Sequence, residues 1–543
     1  MATYNNSTSA NQTITGRAYE ANTFVNFGYG SDRLTGGQLN DTFILGTDNY
    51  SSVGFMADSY KDFIDGGLGR DRVDYSPSNY ALDIRLSGAS GVGSVQTKVG
   101  NGSFATYSVA ELRSIEDATG SRFDDYISGT SGDNRLDGAQ GHDDLYGGVG
   151  NDELIGGSGD DYLSGGSGDD ILSGGANNDE IYTGTNRNTV DAGTGDDIIS
   201  LEFDHQSSTA YRDTIEGGLG SDTLTSSENL TGNYGLQVSL SLGTASSIYY
   251  NGSITSTRQE ATLSGIEHVN GTAQNDVIEG NDESNTLSGF DGRDLFEGRG
   301  GADTMFGGNG SDTFVSTVED QIDYMYGDAD VDTVIFSSTS DRGLLVTLAD
   351  NGGMGTASTS QLSTSPNGAT STLITSVEDY LFSIENVTGT SFADNITGNS
   401  GNNELIGNAG LDTLSGGGGA DILDGGADRD MLRGGAQADT FRFSYDGIGA
   451  EADFILDFQT GSDHIDFSPF YSNAAASHNT SVSDTPPEFI GSGAFSGDGN
   501  ELRVFTNSSG QRVVELDMDG GGLTELDIQI FVTGQVQFAD FLF

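Results

Sequence analysis

The chain has 543 residues, with 82 acidic against 21 basic side chains and a formal net charge of −61 at pH 7. Such an excess of negative charge disfavours nucleic acid and anionic membrane as partners, and it works against any compact state until counter-ions arrive. Cysteine is absent, which excludes disulfides, thiol nucleophiles and thiolate metal sites, and the length allows about three or four domains.

Residues 1–74 open on a polar stretch, Met1 to Thr15, without the basic start, apolar core or cleavage site of a secretory signal. Traces of a short repeat follow at Phe27 to Ile44, with Asp32 and Asp41, and at Gly66 to Asp74, with Asp71. Residues 75–119 alternate apolar side chains at Leu82, Ile84 and Leu86 and read as a β-hairpin or meander excursion that leaves the repeats and returns through Ser114-Ile115-Glu116. From Gly120 to Ser200 a nine-residue period then runs through nine copies of the frame G-G-x-G-x-D-x-U-x, where U is a large apolar residue. One copy reads Gly147-Gly148-Val149-Gly150-Asn151-Asp152-Glu153-Leu154-Ile155. Position six of this run holds Asp125, Asp143, Asp152, Asp161, Asp170, Asp179 and Asp197, with Asn134 and Asn188 in two copies. A single copy with Asp222 completes residues 120–225.

The pattern then recurs. Residues 226–270 are a second excursion (Val238, Leu240, Leu242) that returns through Gly265-Ile266-Glu267. Residues 271–335 carry five copies with Asp276, Asp294, Asp303 and Asp312, Asn285 in one, and then a single copy with Asp332. A third excursion, 336–388, has Leu344, Val346 and Leu348 and returns through Ser383-Ile384-Glu385. Six copies in 389–442 bring Asp394, Asp412, Asp421, Asp430 and Asp439, with Asn403 in one.

Each position of the frame has a physical role. Glycines at positions one, two and four are expected to take positive φ and turn carbonyl oxygens inward, as at Gly148, Gly150, Gly157, Gly159, Gly166, Gly168, Gly308, Gly310, Gly417 and Gly419. Inward carbonyls and the position-six carboxylate suit a hard cation that takes six to eight oxygens. The last three residues form a short strand whose middle side chain, such as Leu145, Leu154, Leu163 or Leu172, points into the stack. An acidic linker would show neither a strict register nor an apolar residue at every ninth position.

This nonapeptide is identified as the calcium-binding repeat of RTX proteins. The resemblance implies an all-β chain of tandem parallel β-rolls, two nonapeptides to a coil, with each calcium between loops i and i+2 on one edge. A run of N copies then holds N minus 2 complete sites, about 14 in all, whose roughly 28 positive charges would cancel nearly half of the net charge. The loops at Asn134, Asn188, Asn285 and Asn403 supply no charge and are expected to be weak or empty.

Residues 443–543 resemble the post-repeat region of serralysin-type proteases in Asp453-Phe454-Ile455-Leu456-Asp457-Phe458, in Gly461 to Ser468, in Phe489 to Phe495 and in the strands near Val513 and Leu526. The closing Asp540-Phe541-Leu542-Phe543 is similar to that family's export signal. The resemblance implies a capping and secretion domain and a type I exporter as partner. It places the protein outside the cell, without a cleavable N-terminal signal, where calcium is plentiful.

Catalytic signatures do not accompany these features. His142, His205, His268, His464 and His478 are scattered outside any H-E-x-x-H, so the serralysin zinc-protease motif is missing, and no G-x-S-x-G elbow occurs. His142 falls at position five of a calcium loop and reads as a solvent-facing residue, while Tyr249-Tyr250 and Tyr380-Leu381-Phe382 read as sheet packing. Asp517-Met518-Asp519-Gly520-Gly521-Gly522 hints at a further calcium turn. The expected function is that of a secreted, non-enzymatic calcium-binding protein with a surface, matrix or adhesin-like role that meets a glycan or cell surface. The alternative is an exported polysaccharide-modifying or other hydrolytic enzyme whose site lies in the excursions. A pore-forming role would need an apolar membrane-active region, and the sequence has none.

Overall fold

The computed structural model describes residues 2–5, 11–25, 31–46, 61–88, 91–98, 107–203, 212–226, 234–250, 254–317, 321–337, 342–350, 352–363, 372–443, 452–469, 487–496, 501–517 and 528–543. These fall into two units, Met1–Gly271 and Thr272–Phe543. Both are built from strands, and among the described residues no helix is long and apolar enough to cross a membrane.

In the first unit every second nonapeptide strand joins the same sheet, so partners in register lie 18 residues apart. Leu145 pairs in parallel with Leu163, and Leu154 with Leu172. One sheet runs through Arg135–Gln140, Glu153–Ser158, Ile171–Ala176 and Thr189–Thr194. The facing sheet runs through Tyr126–Ser128, Asp144–Val149, Tyr162–Ser167 and Glu180–Tyr182. The eighth residue of each repeat supplies the apolar side chain of the interior. Leu136, Leu145, Leu154, Leu163, Leu172 and Ile181 have no exposed surface at all. The second unit repeats this plan, with Met305 paired to Met325 and Leu414 to Leu432.

The excursions differ from expectation. Each is a three-stranded antiparallel meander, but it does not leave the roll; it is spliced into one of the roll's sheets. Asp62–Asp65 pairs in parallel with Tyr107–Arg113, which pairs antiparallel with Gly93–Lys98, then Ala81–Arg85, which pairs in parallel with Tyr126–Ser128. In the second unit Asp323–Ala329 leads through Thr372–Phe382, Met354–Ser363 and Leu344–Thr347 to Asn395–Thr397 in the same way. The physical reason is that an excursion standing apart would leave raw strand edges on both itself and the roll, whereas splicing pairs all of them. In the second meander Leu240 and Leu242 are not strand residues: the strand ends at Ser239, and Leu242 is 74% exposed in the turn that follows.

The C-terminal region uses the device again. Asp453–Ile455 pairs in parallel with Ile528–Val532, which is followed antiparallel by Arg512–Asp517 and Glu501–Thr506. His464–Asp466 pairs with Phe541–Leu542, and Phe467 stacks on Phe541 at 6.0 Å between ring centroids. The closing tetrad is therefore part of the folded stack, with Phe541 buried.

Candidate metal centre

Consider the loop from Gly156 to Asp161. Gly157 and Gly159 have φ of 115° and 128°, and the same signs recur at Gly148 and Gly150, Gly166 and Gly168, Gly308 and Gly310, and Gly417 and Gly419. Position one departs from expectation, since Gly147, Gly156 and Gly165 keep ordinary φ. Glycine is required there for space: a Cβ on Gly156 would lie 2.4 Å from Asp161 Oδ2 and 2.6 Å from the Gly174 carbonyl oxygen. A carboxylate oxygen and a carbonyl oxygen from two successive loops thus meet at a point that only a missing side chain leaves open.

The position-six side chains form columns along both edges. Asp161 Oδ1 accepts the Asp143 N–H at 2.8 Å, and Asp179 Oδ1 accepts that of Asp161 at 2.8 Å. The opposite edge has Asp152 N–H to Asp170 Oδ1 at 2.8 Å. The second unit has Asp276 to Asp294 to Asp312 at 2.7 and 2.8 Å, and Asp394 to Asp412 to Asp430 at 2.7 and 2.8 Å. Asn285 and Asn403 donate to Asp303 and Asp421. The second carboxylate oxygen is different. Oδ2 of Asp143, Asp152, Asp161, Asp170, Asp179, Asp197, Asp222, Asp294, Asp312, Asp332, Asp412, Asp421 and Asp439 is buried and accepts no hydrogen bond among the described residues. Leaving so many buried acceptors bare costs roughly 1–3 kcal/mol each.

Burial, reinforced by nearby carboxylates, pushes these acids out of the usual range. Asp143, Asp179 and Asp294 rise to about 8, Asp170 and Asp412 to about 7, and Asp152 and Asp161 to about 6. A cation between the loops would remove both the bare acceptors and the repulsion. Among the described residues no three His, Cys, Asp or Glu side chains converge, so backbone carbonyls must complete any shell. That donor set, all oxygen and partly peptide carbonyl, fits calcium and not zinc.

Three residues that sequence reasoning treated only as re-entry markers take the place of a position-six aspartate. Glu116 Oε2 accepts the Asp71 N–H at 2.8 Å, Glu267 Oε2 that of Asp222 at 2.9 Å, and Glu385 Oε2 that of Asp332 at 3.0 Å. The residue two before each, Ser114, Gly265 or Ser383, has φ between 45° and 60°, and its carbonyl stands where position one of a following repeat would put one. The thrice-repeated Ile-Glu phrase was the available signal. Asp213, Asp323, Asp379, Asp453 and Asp463 likewise extend the columns without a nonapeptide around them, except that Asp463 closes a loop of its own. Asp71, Asp222 and Asp332, read from sequence as isolated copies, are therefore members of continuous columns, as is Asp32, whose N–H reaches Asp62. Asp41 donates to Asp71.

Other expected residues fall elsewhere. Asp125, Asp276 and Asp394 have Oδ2 satisfied by the N–H of Ser121, Thr272 and Thr390 in their own loops. Asn188 keeps its column through Oδ1 and turns Nδ2 to the Gly184 carbonyl, presenting no anionic oxygen. His142 is exposed, but its Nδ1 accepts the Asp160 N–H at 2.9 Å within a second, outer column made by position five. Asp124, Asp133, Asn151 and Asp160 do the same for the loops that follow them. Tyr249 packs at a tilt against Tyr234 and Tyr380 against Tyr324, while Phe382 stacks on Tyr326, all across neighbouring strands. Of the proposed turn at 517–522 only Asp517 lies within the described residues.

None of the curated proteins matches the chain. Among solved structures it is similar to two subunits of the Azotobacter vinelandii mannuronan C5-epimerase. AlgE6R3 matches at 28% identity over 28% of this chain and 79% of that one, and AlgE6R2 at 26% identity over 29% and 92%, both with a TM-score of 0.21. The RTX calcium-binding nonapeptide repeat family matches residues 55–77, 119–154, 146–181, 155–190 and 173–204. Residues 217–543, more than half of the chain, match the Peptidase M10 serralysin C terminal family, and the chain belongs to that family.

Proposed function

We propose that this is a secreted, non-enzymatic scaffold that folds on binding calcium outside the cell and serves there as a surface, matrix or adhesin-like component. The observation that carries the reading is the pair of carboxylate columns in each unit, with bare, buried Oδ2 atoms repeated at the spacing of the coil. The ligands are the position-six aspartates with bare oxygens, the carbonyls of the glycine loops, and Glu116, Glu267 and Glu385, which carry the columns past the meanders. Calcium binding in general follows from the RTX repeats. Export by a type I route follows the habit of the serralysin family. The meanders support the non-enzymatic part, because they are consumed in extending the roll's sheets instead of forming a separate layer around a cleft.

The test has two arms on the purified full chain. Circular dichroism should pass from disorder in chelator to β-structure at millimolar calcium, and a spectrum that stays β throughout removes the calcium-folding reading. The loaded protein is then incubated with a panel of neutral and acidic polysaccharides and esters. Turnover of any of them, abolished by a substitution in a meander, would replace the scaffold reading with an enzymatic one.

A further inference from the structure

The loops divide into two classes, and the division follows position two. In the loops at Gly138, Gly147 and Gly156 that residue (Ala139, Gly148, Gly157) has φ of 82°, 105° and 115°. Ser121, Thr272 and Thr390 stand at position two of the first loop of each long run and keep ordinary φ. Their N–H groups therefore turn inward and donate to Oδ2 of Asp125, Asp276 and Asp394, at 2.6 Å in the latter two. Their hydroxyls reach Oδ1 of the same aspartates at 3.1, 3.0 and 3.1 Å.

The second loop of each run is closed as well, on the opposite edge. Thr130, Asn281 and Asn399 donate N–H to Oδ1 of Asn134, Asn285 and Asn403 at 2.6, 2.8 and 2.9 Å. Asn134 and Asn403 then spend Nδ2 on the carbonyls of Glu116 and Glu385. Where an open loop offers a bare anionic oxygen, these offer a filled carboxylate or an N–H donor, which would repel a cation. The same closure appears after the third run, where Gln459 donates N–H to Asp463 Oδ2 at 2.7 Å.

We infer that each calcium run starts on a pair of metal-independent loops, one per edge, which close on their own hydrogen bonds and fix where cation binding begins. This rests on the reading of the open loops as calcium sites. On it, Asp125, Asp276 and Asp394 are end-stops of the columns and not ligands, and the count of about 14 sites includes six gaps, two per run, that stay free of calcium. The glycine loops beyond them need the ion; the starters do not, because hydrogen bonds within the loop already satisfy the buried oxygens.

The experiment compares two triple variants of the full chain at saturating calcium, counting bound ions by equilibrium dialysis with elemental analysis. D125N/D276N/D394N alters closed loops, and D143N/D294N/D412N alters the next open loop on each of the same edges. The first should bind as many ions as the parent and the second about three fewer. Equal losses from both overturn the inference while leaving the calcium reading intact; no loss from either removes the calcium reading and the inference with it. Should the first variant fail to fold, the single variants D125N, D276N and D394N decide: each should bind as many ions as the parent, and the loss of one ion from any folded one would overturn the inference.

Discussion

Lowering the pH should partly replace calcium as the agent that folds the roll. In the metal-free fold Asp161, Asp170 and Asp179, in three consecutive loops, are raised by burial first and by neighbouring carboxylates second, to about 6, 7 and 8. In the unfolded chain all three return to about 3.9. A folded pKa above the unfolded one means that the fold binds the proton more tightly. Its stability is therefore whole below about pH 4 and is lost progressively until the pH passes the folded value. At about 1.4 kcal/mol per pKa unit, bringing the pH from 8 down to 5 restores of order 8 kcal/mol across these three loops, as much as the entire stability of many domains. The assay is circular dichroism with small-angle scattering in chelator at pH 5, 6, 7 and 8. The lowest point stays above the sequence pI of about 4.1, where aggregation would interfere. β-structure should grow as the pH falls. With calcium the pH dependence disappears: above pH 6 both the unfolded chain and the loaded fold are ionised, so the calcium midpoint for folding should not move between pH 6 and 8. A metal-free chain equally disordered at pH 5 and 8, or a midpoint that shifts tenfold in that window, would refute the reasoning.

Two alanine substitutions at glycines separate steric need from backbone need. Gly156→Ala puts a methyl group into Asp161 Oδ2 and the Gly174 carbonyl and should raise the calcium midpoint several-fold, whereas Gly461→Ala, at φ 75° with nothing within 4 Å, should cost only about 1 kcal/mol in a denaturant melt. Leu163→Ala leaves a cavity in a fully enclosed stack and should cost about 2–5 kcal/mol by guanidinium unfolding at saturating calcium, a loss under 1 kcal/mol contradicting the packing described. Asp332→Ala should lower bound calcium and shift the folding midpoint as much as Asp161→Ala, because Asp332 links Asp312 to Glu385 within a column; a negligible effect from Asp332 alone would mean that columns stop where nonapeptides stop.

The repeat made the roll legible because its physics is local. An apolar residue at every ninth position fixes the strand, and two strands per coil fix the register of Leu145 on Leu163. What could not be read was whatever depends on a distant partner. The alternation at Leu82 and Ile84 announces a strand but does not say that Ile84 pairs with Ile127 inside the roll's own sheet. Glycine composition likewise does not separate position one from position two: one glycine answers to a neighbour's oxygen 18 residues on, the other to its own φ. Ser121 and Thr272 look like tolerated departures from the frame until their N–H groups are seen on Asp125 and Asp276.

Two columns of opposite sense run along each edge, and their opposition explains why departures from the frame are placed where they are. Position six of a later loop accepts from the backbone of an earlier one, as Asp161 does from Asp143, whereas position five of an earlier loop accepts from a later one, as Asp124 does from His142. Each loop is thus clamped from both sides, and a carboxylate is tolerated in the inner column only if its second oxygen finds a cation or a donor. Where a meander interrupts the repeat, the next loop lies 45 or more residues away in sequence, so the inner column would break and strand the N–H of Asp71, Asp222 or Asp332. The glutamate of the Ile-Glu phrase has one methylene more than aspartate and reaches back to that N–H from a short three-residue turn instead of a full loop. Continuity of the column, more than conservation of the nonapeptide, is the rule that the sequence obeys, and it is why splicing a meander into the sheet leaves the line of candidate calcium ligands unbroken.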